Sequence, residues 1–267
     1  VAAGLAILAT PAGAVAVRRT HRSRTGAQSN EPAGSGASIC SSLLLASLPS
    51  LPRDEKLIYF VRHAEAKHNL PAPIGPLALK TETDTDLTLT GVQVATQVGG
   101  DPLLAAALSH NASRRAQLIL SSPLRRAMRT ALLAFGNAQP PIPVEFEPRL
   151  METATDLANI GEVAKGAAAL REMGRPDLLE KYSRLPSGWT RAPHQEDDFA
   201  LVKSRFRSWT AALLARPEQR IIAVSHGLFM YINLGVLPAN CGVVPFSLSA
   251  AGKWTSLLPR PCLRLLA

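Results

Sequence analysis

The sequence predicts an α/β fold in which a mainly parallel sheet carries helices on both faces. Three observations support this prediction. Short apolar runs typical of buried strands recur between residues 56 and 224, amphipathic helical stretches separate them, and polar residues suited to catalysis stand directly after the runs. The chain has 267 residues, of which 46% are hydrophobic and 18% charged, so it is globular and large enough to bury a core.

Four segments have the length and the β-branched or aromatic content of buried strands. They are KLIYFV at 56–61, AQLIL at 116–120, PIPVEF at 141–146 and RIIAV at 220–224. The third is the weakest because proline cannot donate to a sheet.

Helical patterns lie between these strands. Residues 92–108 are helical in pattern with a Gly-Gly interruption, and residues 123–135 follow the second strand directly. Residues 196–215 place one apolar face toward the core, with acids at 196–198 in the first turn, where the helix dipole favours them. That face comprises Phe199, Val202, Phe206, Trp209 and Leu213. Residues 152–195 lack strand signals, and helices at 159–173 and 175–182 predict a helical insertion at about 153–195, over the site described below.

Residues 1–53 differ in composition from the domain predicted over 54–267. An Ala-rich apolar stretch at 1–17 precedes a polar, Arg- and Ser-rich one. Three interpretations stay open: a targeting peptide for secretion or an organelle, a short membrane anchor at 1–17, or a disordered extension. The first predicts an organelle or secreted location, and the third leaves the protein cytoplasmic. We expect membrane contact only if the 1–17 stretch is an uncleaved anchor.

Charge and composition exclude several classes of protein. The net charge is +9, but the basic residues are dispersed and only 5% of residues are aromatic, so we expect no nucleic-acid partner. No apolar run of about 20 residues occurs, which excludes a polytopic membrane protein. The three cysteines are widely spaced without a CxxC pair, which argues against a structural zinc site. The modest positive excess suits an anionic substrate.

Two histidines, several arginines and a glutamate follow the four strands. The first strand leads into Arg62 and His63, the second into the stretch SSPLRR at 121–126, the third into Glu152 and the fourth into His226. In open α/β sheets, ligands bind outside the carboxyl ends of the strands. Together these residues predict an anion site that contains a nucleophile or base.

The stretch at 121–126 is also a helix start, with Ser122 expected as N-cap and Pro123 at the first helical position. Arg126 then lies in the first turn, where a cation opposes the helix dipole. A bound anion would account for it.

The motifs around these strand ends, taken in order, resemble those of the histidine phosphatase (phosphoglycerate mutase-like) superfamily. Within it, they are most similar to the fungal and plant phosphoglycerate mutase-like phosphatases. RHAEAKHN at 62–69 is similar to its RHG/RHA signature, and SSPLRRA at 121–127 with Thr130 and Ala131 to its SSPLxRAxxTA helix start. LME at 150–152 is similar to its L-x-E, and VSHG at 224–227 to its second histidine motif. DLTLTG at 86–91 resembles its D-x-x-L-T-x-x-G stretch with compressed spacing, and residues 240–243 match its last strand weakly.

The resemblance implies a phosphoglycerate mutase-like fold and a phosphohistidine mechanism that needs no metal or other cofactor. It implies His63 as nucleophile, Glu152 as proton donor and acceptor, and a protonated His226 beside the phosphate. It further implies phosphate contacts from Arg62, Asn69 and Arg126 to a small phosphorylated substrate.

The resemblance leaves the reaction open between three alternatives. Cofactor-dependent mutases carry an Arg-, Tyr- and Gly-rich motif after the L-x-E. Here TATDLANIG follows Glu152, which favours a phosphomonoesterase. The alternatives are a mutase-type phosphoryl transfer and a non-catalytic member that binds a phosphorylated ligand or a protein partner. The sequence does not indicate an oligomeric state.

Overall fold

The computed structural model describes residues 54–153, 156–190 and 199–258. The predictions for residues 1–53 and for the acids at 196–198 lie outside these ranges. Among the described residues, no helix is both long and apolar enough to cross a membrane.

A six-stranded sheet forms the centre of the described domain, with the strand order β3-β2-β4-β1-β5-β6. The first four strands along the chain, β1 to β4, are the four that the sequence predicted, and they run parallel to one another. The strands are β1 (Lys56–Arg62), β2 (Leu118–Ser121), β3 (Val144–Phe146), β4 (Arg220–Ser225), β5 (Val243–Leu248) and β6 (Trp254–Ser256).

Two antiparallel strands complete the sheet, and the sequence patterns indicated only a weak match at the start of β5. Strand β5 pairs with β1 on one side and with β6 on the other. Pro245 lies inside β5 opposite Tyr59, and a proline lowers the expectation of a strand because it has no N–H to donate. The mainly parallel sheet is therefore confirmed, with an antiparallel edge.

Seven α-helices cover the sheet within the described ranges. They are α1 (Ile74–Thr81), α2 (Leu89–Gln97), α3 (Arg125–Phe135), α4 (Val163–Glu172), α5 (Leu179–Ser183), α6 (Phe199–Leu214) and α7 (Gly227–Leu234). The helices predicted at 159–173 and 175–182 correspond to α4 and α5. Neither α1 nor α7 was predicted, because each has only eight residues, too few to show a clear period.

The apolar face of α6 packs into the core except at its first residue. Val202, Phe206, Trp209 and Leu213 are buried, whereas Phe199 is 62% exposed, so its predicted place in the core is wrong. It occupies the first position of the helix, before the turns that pack on the sheet. Trp209 stacks on Trp254 with ring centroids 5.8 Å apart.

Helix α3 begins two residues later than predicted. It starts at Arg125, so the expected N-cap at Ser122 and helical start at Pro123 are wrong. The backbone N–H of Arg125 donates instead to the carboxylate of Asp84, at 2.8 Å. A distant carboxylate therefore caps the helix at Arg125, while the Ser122 hydroxyl accepts from the N–H of Leu124 at 3.3 Å.

Helix α2 begins at Leu89, where Thr88 accepts a hydrogen bond from the N–H of Gly91 at 2.9 Å. Gly91 lies against the loop that follows His63. A Cβ atom at position 91 would stand 2.0 Å from the carbonyl oxygen of Glu65, which has no flexible end that could move away. Only glycine allows this approach.

We therefore expect Gly91→Ala to lower the free energy of unfolding by about 1–3 kcal/mol, because the methyl group forces backbone atoms apart. Gly100→Ala is the matched control, since no atom lies within 4 Å of a Cβ added there. Urea denaturation of both variants measures the difference. Equal stabilities would show that the loop after His63 yields without strain.

Candidate active site

The carboxyl ends of three neighbouring strands, β2, β4 and β1, meet at one edge of the sheet. Arg62 lies opposite Ser225, and Ser121 lies opposite Val224. The next residue along each strand is His63, Ser122 or His226. The parallel register therefore brings these three side chains together, as the sequence predicted.

His63 is buried, and its tautomer follows from a backbone contact. Its Nδ1 lies 2.7 Å from the carbonyl oxygen of Ala64, which can only accept, so Nδ1 carries the hydrogen. Nε2 keeps its lone pair, and the Nε of Arg126 approaches it at 3.4 Å. Burial, then the charge of Arg126, lowers the pKa of His63 well below its usual range. The ring is thus neutral, as a nucleophile requires.

The Arg126 guanidinium is fully buried beside His63. It donates to the carbonyl oxygen of Ala158 at 2.8 Å and to the amide oxygen of Asn159 at 2.7 Å. Burial lowers its pKa to about 10, which leaves it charged at neutral pH. Asn159 carried no signal in the sequence, because it lies outside every recognised motif and meets Arg126 only through the fold.

Thr130 joins the nucleophile loop to the helix that carries Arg126. Its hydroxyl accepts from the N–H of Ala64 at 3.0 Å and donates to the carbonyl oxygen of Arg126, one turn earlier, at 2.7 Å. The Thr in the helix-start motif is therefore a tether between His63 and Arg126.

Arg62 supplies the second guanidinium. Its Nη1 donates to the carbonyl oxygen of Pro238 at 2.8 Å, and its buried Nε has no hydrogen-bond partner in the described ranges. A Cβ at Gly227 would lie 3.0 Å from the Cζ of Arg62. The glycine after His226 is thus small so that this guanidinium can lie against the start of α7.

His226 is fully buried, with its ring centroid 5.0 Å from that of His63. Its Nε2 lies 2.8 Å from the hydroxyl of Ser122. Burial, followed by the charge of Arg126, lowers the pKa of His226 well below its usual range. This favours a neutral ring and is opposite to the protonated His226 that the family resemblance implied.

Glu152 reaches the start of α7. One carboxylate oxygen accepts from the N–H groups of Phe229 and Thr153, at 2.8 and 3.0 Å, and the other accepts from Leu228 at 3.1 Å. Its charge raises the pKa of both Arg62 and Arg126 against the effect of burial. Glu152 therefore belongs electrostatically to the cluster while it caps the helix that follows His226.

Asn69 and His68 lie on the loop after His63. The amide oxygen of Asn69 accepts from the N–H of Ala66 at 3.0 Å, so its amide nitrogen is the atom that the predicted phosphate contact would use. His68, whose role the sequence left unassigned, lies with its ring centroid 5.7 Å from that of His63 and bonds Thr85 at 2.7 Å. Burial lowers the pKa of His68 to about 2.

Asp84 is a residue that the sequence analysis missed. It is fully buried, has φ 47°, and caps α3, while its carbonyl oxygen accepts from the Arg125 guanidinium at 2.8 and 3.1 Å. The signal was present: counted from Asp84 rather than Asp86, residues 84–91 give D-x-x-L-T-x-x-G without compression. Asp86 instead pairs with Arg129 at 3.1 Å.

The arrangement can bind and transfer an anionic group. A neutral imidazole, whose Nε2 carries a lone pair and is approached only by Arg126 among the described residues, lies beside two guanidinium groups and a second imidazole. Such a set of donors stabilises a phosphoryl group during its transfer. Arg125 lies outside this set, because its guanidinium is bound to Asp84 and Asp86.

Arg126→Lys should weaken the binding of inorganic phosphate about tenfold or more, because lysine lacks the fork that reaches His63, Ala158 and Asn159 together. Arg125→Lys is the matched control and should change the dissociation constant less than about threefold, as expected of a partly exposed pair. Calorimetric titration with phosphate measures both. A larger loss at Arg125 would show that the helix start is aligned one residue off.

Solved structures of similar fold were found for this chain. The chain adopts the fold of the ecdysone phosphate phosphatase from Bombix mori, at 14% identity and TM-score 0.52, with 76% of this chain and 92% of that chain covered. A protein described as mycobacterial hydrolase 2 is 19% identical with TM-score 0.50, covering 79% and 96% of the two chains. The phosphoglycerate mutase from Bacillus anthracis is 18% identical with TM-score 0.48, covering 79% and 96%.

The curated proteins gave no match to the sequence. The family profile described as "Histidine phosphatase superfamily (branch 1)" matches residues 58–237, a span that contains every candidate site residue described above. With the profile covering most of the chain, and with its two histidines and two arginines gathered at one sheet edge, this protein belongs to the histidine phosphatase superfamily.

Proposed function

We propose that the protein hydrolyses phosphomonoesters through a phosphohistidine formed on His63, without a metal ion. One observation carries the proposal. The His63 ring has Nδ1 committed to the Ala64 carbonyl and leaves Nε2 facing the Arg126 guanidinium, so the nucleophilic lone pair points toward a fixed positive charge.

The reaction would proceed in two transfers. In the first, Nε2 of His63 attacks phosphorus and the bond to the leaving oxygen breaks, while a proton reaches that oxygen from Glu152. In the second, Glu152 takes a proton from water, the water oxygen bonds to phosphorus, and the N–P bond breaks to release phosphate. Arg62 and Arg126 would hold the equatorial oxygens, where charge is spread in a loose transition state.

The position of Glu152 supports a proton-transfer role and adds a structural one. Its carboxylate is nearly buried, its charge is felt at both guanidinium groups, and its oxygens hold the start of α7. A substitution there therefore has two effects, on the chemistry and on the helix that follows His226. Only the first depends on the leaving group.

Hydrolysis is favoured over mutase activity by the segment after Glu152. That segment, TATDLANIG, offers no basic or tyrosine side chain to grip a bisphosphate. Ala158 and Asn159 within it contact Arg126 instead. Water rather than an acceptor hydroxyl should then resolve the phosphoenzyme. A purely binding role is disfavoured because every residue that the mechanism needs is retained.

Incubation with a phosphomonoester labelled in its phosphate should give an acid-labile, base-stable phosphoenzyme in the presence of EDTA. His63→Ala should abolish label and turnover because no other nitrogen occupies its place. His110→Ala, at an exposed histidine, is the matched control and should retain both.

Two results would contradict the proposal. Label that persists in His63→Ala would move the nucleophile elsewhere. Efficient conversion of 3-phosphoglycerate to 2-phosphoglycerate with little release of phosphate would favour the mutase alternative.

Glu152→Gln should slow hydrolysis of alkyl phosphates about a hundredfold or more, because their leaving oxygen needs a proton. p-Nitrophenyl phosphate, whose anion leaves unprotonated, should lose much less. The ratio of the two losses in kcat/KM is the readout, because kcat/KM reports the first transfer, whereas damage to α7 lowers both values equally. Glu172→Gln, at an exposed carboxylate, should leave the ratio unchanged. Equal losses in kcat/KM on both substrates would contradict the role of Glu152 as proton donor to the leaving oxygen.

A further inference from the structure

The Ser122 hydroxyl makes two contacts that together determine where its hydrogen lies. Ser122 is fully buried at the end of β2. Its oxygen lies 2.8 Å from the Nε2 of His226 and 3.3 Å from the backbone nitrogen of Leu124. The Leu124 N–H can only donate, so it occupies one lone pair of the hydroxyl oxygen.

The hydroxyl has one hydrogen to place. If Nε2 of His226 carried a hydrogen, the Ser122 oxygen would receive two donors, and its own hydrogen would have no acceptor in the described part of the chain. Buried donors without acceptors are rare because they lose their hydration without compensation. The arrangement that satisfies the Ser122 hydroxyl and Nε2 of His226 together has Ser122 donating to Nε2.

This arrangement places the hydrogen of the neutral His226 ring on Nδ1. That nitrogen is buried and has no hydrogen-bond partner among the described residues. Nδ1 is therefore the nitrogen of His226 that remains available to a phosphoryl oxygen. It can donate a hydrogen bond to that oxygen while the imidazole ring stays uncharged.

We propose that Ser122 is a positioning residue that holds His226 as its neutral Nδ1–H tautomer, so that His226 donates to the phosphoryl group without being protonated. The proposal rests on the proposed function of the same site and goes beyond it. It also replaces the helix-capping role that the sequence predicted for Ser122.

The charges around His226 favour this solution. Arg126 on α3 contributes the largest charge and Arg62 on β1 adds to it, while the His63 and His68 rings on the loop after β1 are neutral. The Glu152 carboxylate also faces this region, because it accepts hydrogen bonds from the N–H groups of Leu228 and Phe229, the second and third residues after His226. Two guanidinium groups already supply positive charge, so a third cation would be repelled, whereas a neutral donor adds a hydrogen bond without that repulsion.

The first test is nitrogen NMR on the wild-type protein at neutral pH. The two-bond couplings of the ring protons distinguish a protonated from an unprotonated imidazole nitrogen, and a His226→Asn variant assigns the signal. We expect Nδ1 protonated and Nε2 bare. A hydrogen on Nε2, or on both nitrogens, would overturn the proposal whether or not any variant folds.

The second test is the pH dependence of kcat/KM for Ser122→Ala. Without the hydroxyl, the neutral ring is free to carry its hydrogen on Nε2 and turn a lone pair toward the phosphate, so activity should fall about tenfold or more at pH 8. In acid a protonated ring carries a hydrogen on Nδ1 regardless of Ser122, so the ratio of variant to wild type should recover toward one. Ser122→Thr should restore the wild-type profile.

Ser121→Ala is the matched control, because the Ser121 hydroxyl donates to the Ser122 carbonyl and does not contact His226. Its pH profile should follow the wild type. A loss in Ser122→Ala that is the same at every pH would assign Ser122 to packing and overturn the proposal. Absence of hydrolysis in the wild type would instead contradict the proposed function, while the NMR result would still report the tautomer.

Discussion

A single buried guanidinium, that of Arg126, sets the conditions for the rest of the site. A buried charge is tolerated only if acceptors and opposing charges surround it. Ala158 and Asn159 supply the acceptors, and Glu152 and Asp84 supply the charge. Burial, and after it the charge of this guanidinium, lowers the pKa of the neighbouring His63 and His226 imidazoles. The proposed nucleophile is thus prepared in part by the group that would also bind its target.

The start of α7 shows how closely the neighbouring parts depend on one another. Gly227 is small because Arg62 lies against it, and the next two N–H groups are held by Glu152. One short turn therefore positions His226, makes room for a guanidinium and orients a carboxylate. Strands β1 and β4 deliver Arg62 and His226, and their parallel register brings the two side chains to the same place.

The sequence predicts the site residues that directly follow a strand. It predicts few of those whose role depends on a contact between residues far apart in the chain. His63, Arg126 and His226 follow recognisable strands or helix starts, so their convergence was predictable from topology. Asn159 and the capping role of Asp84 depend on where distant loops meet, and no local pattern encodes that. Strand β5 was obscured by Pro245, and Phe199 fits the period of its helix but lies beyond the sheet that buries the other turns.

The tether formed by Thr130 and the contacts of Ala158 and Asn159 grip Arg126 from opposite sides. One set of contacts joins Arg126 to the loop after His63, and the other joins it to the segment after Glu152. A displacement of that segment would therefore be transmitted to the guanidinium beside His63. Under the proposed function, substitutions in the segment after Glu152 would change the rate of the reaction as well as the choice of substrate.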